Sequence, residues 1–249
     1  MKNKLMLILT LLLTANLFFS CEKDKDEDQD DQRTIDTYYQ PVIKPENFID
    51  SITNPYLPMI PGTIFTYKGV TEDGNENIVV AVTYDTKTIM GVTCLVVSDI
   101  VTEEGGQVLE STLDWYAQDI DGNVWYFGED TKEYNNGIPI STEGSWEAGI
   151  NGAQPGIVMP GTPIFGVPYR QEYLFDEAED MGKVIKGGES VTVPFGTFDN
   201  CLVTEEWTPL EPDVEENKYY AAGIGIVKEV TVKGGTDVVE LIAITTGRK

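Results

Sequence analysis

Between Ile64 and Ile244 the chain is a succession of apolar-rich runs cut by glycine turns at Asp73-Gly74, Gly105-Gly106, Asp121-Gly122, Asn136-Gly137, Gly187-Gly188 and Gly234-Gly235. No long stretch repeats its apolar residues at the 3.6-residue period of a helix, so the pattern supports strands as the main regular element. Leu109, Ser111, Leu113, Trp115 and Ala117 alternate with Glu110, Thr112, Asp114, Tyr116 and Gln118. A period of two predicts a strand with one face on a core and the other in water. Ile78 to Tyr84, Val92 to Val101, Val124 to Phe127 and Val238 to Ile244 are apolar on both faces. Such runs need a second covering layer or a curved sheet that encloses them. The expectation is an all-β, antiparallel meander closing into a partial barrel or two packed sheets. Residues 135 to 168 interrupt it with seven glycines and five prolines, dense enough to read as one long loop: a lid, a binding loop or a permanent cover.

Charge and composition then narrow the chemistry. In 249 residues there are 42 acids against 17 bases, a net charge of −25, which repels a nucleic-acid backbone and excludes nucleic acid as a partner class. The chain has no histidine, so Ser-His-Asp and Cys-His nucleophiles, HExxH metalloprotease sites and His-ligated zinc are all excluded. What remains is chemistry by carboxylates or no chemistry, and no cofactor is expected. Asp119-Ile120-Asp121-Gly122-Asn123 begins like a calcium loop, but its twelfth position is Asp130 and not a bidentate Glu. It reads instead as a type I′ hairpin turn between Trp115-Tyr116 and Trp125-Tyr126, with no metal.

The first residues carry an address. Lys2 and Lys4 precede an apolar run from Leu5 to Phe19, too short for a comfortable membrane span and suited to a signal peptide, and Ser20 stands before Cys21. Leu17-Phe18-Phe19-Ser20-Cys21 resembles the lipobox of bacterial lipoproteins, although Phe18 and Phe19 stand where the commonest pattern has Leu and then Ala or Ser. That resemblance implies cleavage before Cys21 and lipid on it, which anchors the mature chain in a membrane. Residues 22 to 33 hold seven acids, three bases and no apolar side chain, a composition that stays solvated. The same run resembles the export signal of surface lipoproteins in the Bacteroidota, which implies the outer membrane and its external face. The expected organisation is a signal peptide over 1–20, a lipidated Cys and acidic tether over 21–44, and a single β-rich domain over 45–249. Removing residues 1 to 33 takes away seven acids and five bases, so the body still carries about −23.

Several body motifs share one resemblance. Thr192-Val193-Pro194-Phe195-Gly196-Thr197-Phe198-Asp199-Asn200-Cys201, Tyr219-Tyr220-Ala221-Ala222-Gly223-Ile224-Gly225-Ile226-Val227 and Asn54-Pro55-Tyr56-Leu57-Pro58 are similar to patterns of a β-rich bacterial envelope lipoprotein family of unknown function. The resemblance implies fold and class but no activity. Cys94 and Cys201 remain once Cys21 is acylated, and are read as either one disulfide or two buried thiols. Glu110, Asp114, Glu172, Glu205 and Glu206 are the carboxylates that strands would bring face to face for glycoside hydrolysis. In Tyr169-Arg170-Gln171-Glu172-Tyr173, alternation puts Tyr169, Gln171 and Tyr173 on one face and Arg170 with Glu172 on the other. Arg170, the sole Arg between Arg33 and Arg248, is expected to pair with Glu205 or Glu206. The binding residues expected beside the 135–168 loop are Trp146, Tyr169, Arg170, Tyr173 and Trp207, aromatics suited to sugar faces or apolar groups. The leading expectation is a membrane-anchored, non-catalytic domain that binds a glycan or an envelope protein. The alternatives are a carboxylate-dependent glycoside hydrolase and a structural component of an envelope assembly.

Overall fold

The computed structural model describes residues 39–72 and 74–246, so the signal peptide, Cys21 and most of the acidic tether lie outside the described residues. Among the described residues sixteen strands form: β1 (Phe48–Ile49), β2 (Thr63–Thr71), β3 (Gly74–Ile89), β4 (Val92–Glu103), β5 (Val108–Asp119), β6 (Val124–Asn135), β7 (Ile138–Ser141), β8 (Trp146–Glu147), β9 (Gln154–Met159), β10 (Pro168–Arg170), β11 (Glu172–Tyr173), β12 (Met181–Val193), β13 (Gly196–Trp207), β14 (Glu215–Ala221), β15 (Gly225–Lys233) and β16 (Val238–Thr246). All belong to one antiparallel sheet that runs from β10 through β12 to β16, crosses to β2, and continues through β6 to β9 and β11. The two end strands, β10 and β11, are separated by Gln171 alone, so one short segment joins both edges and the sheet nearly closes into a barrel. Closure leaves little unpaired edge, the exposed row of N–H and C=O groups that open sheets must otherwise protect. The seam is tight at Gly156 on β9. A Cβ there would lie 2.3 Å from the Gln171 carbonyl carbon, a distance that only glycine permits.

Residues directly opposed across antiparallel strands share a face. Asp99, Thr112 and Thr131 form one such row over β4, β5 and β6, and Val97, Asp114 and Glu129 the next. On the far wall Glu206 opposes Glu216, while Thr204 opposes Lys218, which opposes Glu229. These rows face one another through the barrel, since Tyr116 on β5 and Tyr220 on β14 are close enough to interact electrostatically. The β2, β3 and β16 wall contributes Tyr67, Ile78, Val80, Val82, Val239 and Leu241 to the same interior. The barrel is therefore apolar along one side and strongly polar along the other.

That arrangement reverses the faces expected of β5. Glu110, Thr112 and Asp114 are buried, whereas Leu113, on the side expected to face the core, is 39% exposed. Period two fixes which residues share a face but not which face ends inside, and in a closed barrel the inside can be polar if the groups bond to each other. Thr112 Oγ1 lies 3.1 Å from Thr131 Oγ1, the Thr131 hydroxyl donates to Glu129 Oε2 at 2.9 Å, and the Tyr126 hydroxyl donates to Asp114 Oδ1 at 2.7 Å.

The 135–168 stretch is more ordered than its composition suggests. It folds into β7, β8, β9 and the start of β10, with the first three paired to β6. Asn136-Gly137 and Asn151-Gly152 make its tight turns, each with both residues at positive φ. The Asp119 turn is not type I′, because Gly122 has positive φ (85°) but Ile120 and Asp121 do not. Asp119 Oδ1 accepts from the backbone N–H of Asp121 and Asn123, and Oδ2 from Asn123 Nδ2 and Trp125 Nε1, all at 2.8–3.0 Å. Its carboxylate is used within the turn. Residues 50–61 pack near this turn with Ile52 and Met59 in the core, and buried Asn54 donates through Nδ2 to the Gly122 carbonyl and accepts at Oδ1 from the N–H of Tyr56 and Leu57. Cys94 and Cys201 are both free and buried, which decides against the disulfide. They stand on β4 and β13, strands well separated in the sheet order.

Candidate functional site

Strand β8 lays Trp146 opposite Glu129, on the interior face of β6. It reaches there because β6 carries a bulge. The register slips between Asp114 and Tyr116, and Gly128 takes φ +124°, so that the Trp146 carbonyl comes within 2.2 Å of where a Cβ would stand. From Trp146 the aromatic rings continue inward. Its ring meets Tyr126 edge-on at 5.4 Å, and Tyr126 stacks on Tyr116 at 4.9 Å. Above Trp146 a pocket of about 290 Å³ opens between Thr142–Trp146, Leu174–Ala178 and Leu210. Glu143, Asp176 and Glu177 stand exposed among its lining.

Behind Trp146 lies Glu172, 0% exposed. Burial raises its carboxyl well above the usual range and Asp180 raises it further, while the Trp146 indole N–H, the Asp180 backbone and Lys218 pull the other way. Neither carboxylate oxygen has a partner in hydrogen-bond geometry among the described residues. Asp114 is pushed up to about 8, mainly by burial, with the Tyr126 hydroxyl opposing and the charge of Glu110 adding. Burial likewise carries Asp180 and Glu216 to about 7, against the attraction of Lys218. Asp99 and Glu229 are raised well above the carboxylate range by the same desolvation.

Lys218 is the cation within this set. Its Nζ lies 2.8 Å from Glu206 Oε2 and 3.7 Å from Glu229 Oε2, and Glu206 Oε1 also accepts from Thr204 and Tyr220. One ammonium thus serves several acids, and further buried polar atoms are left over. Among the described residues Asp99 Oδ1, Asp114 Oδ2, the Tyr116 and Tyr169 hydroxyls, and both carboxylate oxygens of Glu172 and Glu229 have no hydrogen-bond partner. Buried polar groups are normally paired, so such a concentration marks a place where something else supplies the bonds.

The residues expected to bind do not make one surface. Trp146 and Tyr169 belong to the interior, with Tyr169 opposite Gly182 and its ring packed over that glycine. Arg170 and Tyr173 lie outside, with the guanidinium carbon 4.7 Å from the Tyr173 ring and 5.9 Å from that of Tyr39. The expected alternation fails at Gln171, whose N–H bonds to Asp180 while the chain changes partners from β12 to β9; Glu172 therefore turns inward and Tyr173 outward. Arg170 approaches Glu179 at 3.8 Å, not Glu205 or Glu206, because Glu205 is taken by Lys183 at 2.8 Å and Glu206 by Lys218. Trp207, opposite Met181 in the row of Arg170, is buried on that outer side with Lys183 over its ring at 5.5 Å. Of the carboxylates singled out for hydrolysis, Glu110, Asp114, Glu172 and Glu206 do come inside, and Glu205 does not. Lys218, Glu129, Asp180, Glu216 and Glu229 were missed. Their signal was the alternation Glu216, Lys218, Tyr220 along β14, which reads as a wet face unless closure is known.

No family model and no curated protein matches the chain. Two solved structures resemble it. One is a candidate exported protein with a YmcC-like fold from Bacteroides fragilis, 17% identical, covering 77% of this chain and 99% of that one at a TM-score of 0.43. The other is a candidate lipoprotein of Parabacteroides distasonis, 14% identical, covering 76% and 98% at a TM-score of 0.41. At these identities and TM-scores neither likeness carries an inference to this chain.

Proposed function

We propose that the chain is a lipid-anchored protein of the bacterial outer membrane, facing outward, that holds a ligand at the Trp146 end of its barrel and performs no chemistry on it. The observation that carries the binding reading is the pocket of about 290 Å³ whose floor, Trp146, covers an interior with unmet hydrogen-bonding groups. Anchoring rests on Leu17-Phe18-Phe19-Ser20-Cys21, and outward display on the acidic run that follows. The non-catalytic reading rests on placement. Asp114 and Glu172, raised enough to act as acids, both lie on the inner side of Trp146 and outside the lining of the pocket, whereas a glycosidase needs its two carboxyls on either side of a bound sugar linkage.

The test uses the full-length lipoprotein in detergent and soluble oligosaccharides from a bacterial envelope. Binding should change tryptophan fluorescence in the wild type and not in Trp146→Phe, with no new reducing ends. Reducing ends that appear in the wild type and vanish in Glu172→Gln would instead establish the hydrolase. Cys21→Ala should leave the membrane fraction, and retention there without fatty-acid incorporation in the wild type would refute the anchor.

A further inference from the structure

Which ligand chemistry suits the site follows from which bonding groups it lacks. Among the described residues, the atoms inside the barrel without a hydrogen-bond partner are mostly acceptors, Asp99 Oδ1, Asp114 Oδ2, both oxygens of Glu172 and Glu229 Oε1, against the N–H donor of Trp146, Nε1. Two tyrosine hydroxyls on the same faces, Tyr116 and Tyr169, are unpartnered as well. Tyr116 is 1% exposed and lies in the ring series that leads from Trp146 inward, so the demand for a partner is not confined to the acids. The resident cation, Lys218, is committed to Glu206 and Glu229 on the far wall. Among the described residues no three carboxylates or thiols are grouped to hold a metal ion.

Resting on the binding reading above, we infer that the Trp146 end takes a ligand bearing a primary alkylammonium group, which enters past Glu143, Asp176 and Glu177, displaces the Trp146 side chain that covers the interior, and delivers its N–H donors toward Glu172 and Asp114. An ammonium supplies three donors and one positive charge in a compact head, and among the described residues Glu172 and Asp114 have no cation of their own within ion-pair distance, Lys218 being held by Glu206 and Glu229. The aromatic floor suits the same group, because a cation over an indole face is attracted by the ring quadrupole. The protein makes that contact elsewhere, with Lys87 Nζ 3.3 Å from the centroid of Trp115. A neutral polyol also brings donors, but it brings no charge to favour the ionised form of the carboxyls.

Proton release follows from the same geometry. Glu172 is surrounded by Asp180, Lys218, Tyr126 and the Trp146 indole, with no cation committed to it within salt-bridge distance. An arriving ammonium favours the ionised carboxyls and expels protons they hold near neutral pH.

The experiment titrates full-length protein in detergent and 0.15 M NaCl with 1,5-diaminopentane, and in parallel with 1,5-pentanediol, by calorimetry in two buffers of different ionisation enthalpy. The diamine should bind saturably with buffer-dependent heat that reports proton release, and the diol should give none. Glu172→Gln should weaken binding at least tenfold. Asp176→Asn and Glu177→Gln, exposed changes that leave the fold alone, should each weaken it severalfold, while Asp130→Asn on an exposed Lys132 pair should not. Equal binding of diol and diamine overturns the ammonium reading. So does diamine binding that is indifferent to Glu172, Asp176 and Glu177, which would be attraction to the general negative surface. If oligosaccharides perturb Trp146 and the diamine does not bind, the ammonium inference fails and the binding site stands; if neither binds, both fail.

Discussion

Replacing Asp114 by Asn should change how stability depends on pH more than it changes stability itself. Asp114 is wholly buried, its carboxyl is raised from 3.8 to about 8, and its Oδ1 accepts from the Tyr126 hydroxyl at 2.7 Å. A group whose folded pKa lies above its unfolded value contributes stability that is complete below the unfolded value and is lost as pH rises through the folded one. Between pH 5 and pH 8 the folded chain keeps this proton while the unfolded chain has released it, so stability falls by about 1.4 kcal/mol per unit, about 4 kcal/mol over the span. Asparagine is neutral at every pH, matches the shape of the protonated acid and still accepts from Tyr126. Urea denaturation at pH 5, 6, 7 and 8, at constant ionic strength, should find the variant within about 1 kcal/mol of wild type at pH 5 and more stable by several kcal/mol at pH 8. Two parallel curves, or a deficit of constant size at all four pH values, would refute the reasoning. Either would mean that Asp114 is ionised inside the fold or reaches water.

Lys218→Met should cost about 3 to 5 kcal/mol in the same assay, because it leaves Glu206 and Glu229 buried without their cation, and a loss under about 1 kcal/mol would contradict the pairing. Gly128→Ala should destabilise the fold by about 1 to 3 kcal/mol through its positive φ alone, and move Trp146, since the added carbon meets the Trp146 carbonyl. An unchanged melting temperature would refute the bulge. Cys94 and Cys201 should be unreactive to a thiol reagent in the folded chain and should both react in denaturant without reductant; failure to react there would restore the disulfide.

The strand class was legible because period-two alternation and glycine turns are local properties. Asn136-Gly137 appears as a turn in both sequence and structure for that reason. Which face of β5 points inward was not legible, since Glu110 and Asp114 belong on a wet face in any open sheet and come inside only because β10 and β11 close the barrel. The same non-local fact inverted the Tyr169 to Tyr173 alternation, where Gln171 bonds to Asp180 across the seam. Trp146 was legible as the anchor of its stretch, the only tryptophan among those glycines and prolines. Its contact with Tyr126 depends on a bulge at Gly128 that no local pattern announces. Lys218 was hidden because one lysine among 17 bases carries no mark until the strands beside it are known to present Glu206 and Glu229.

The central claim, that ligand enters the polar interior over Trp146, is tested most directly by fluorine NMR of protein carrying 5-fluorotryptophan. Its four tryptophans, Trp115, Trp125, Trp146 and Trp207, would be assigned by single Trp→Phe changes and followed through a titration with 1,5-diaminopentane. The account predicts that the Trp146 resonance shifts saturably while those of Trp115, Trp125 and Trp207 hold still. Saturable binding with the Trp146 resonance unmoved would contradict it.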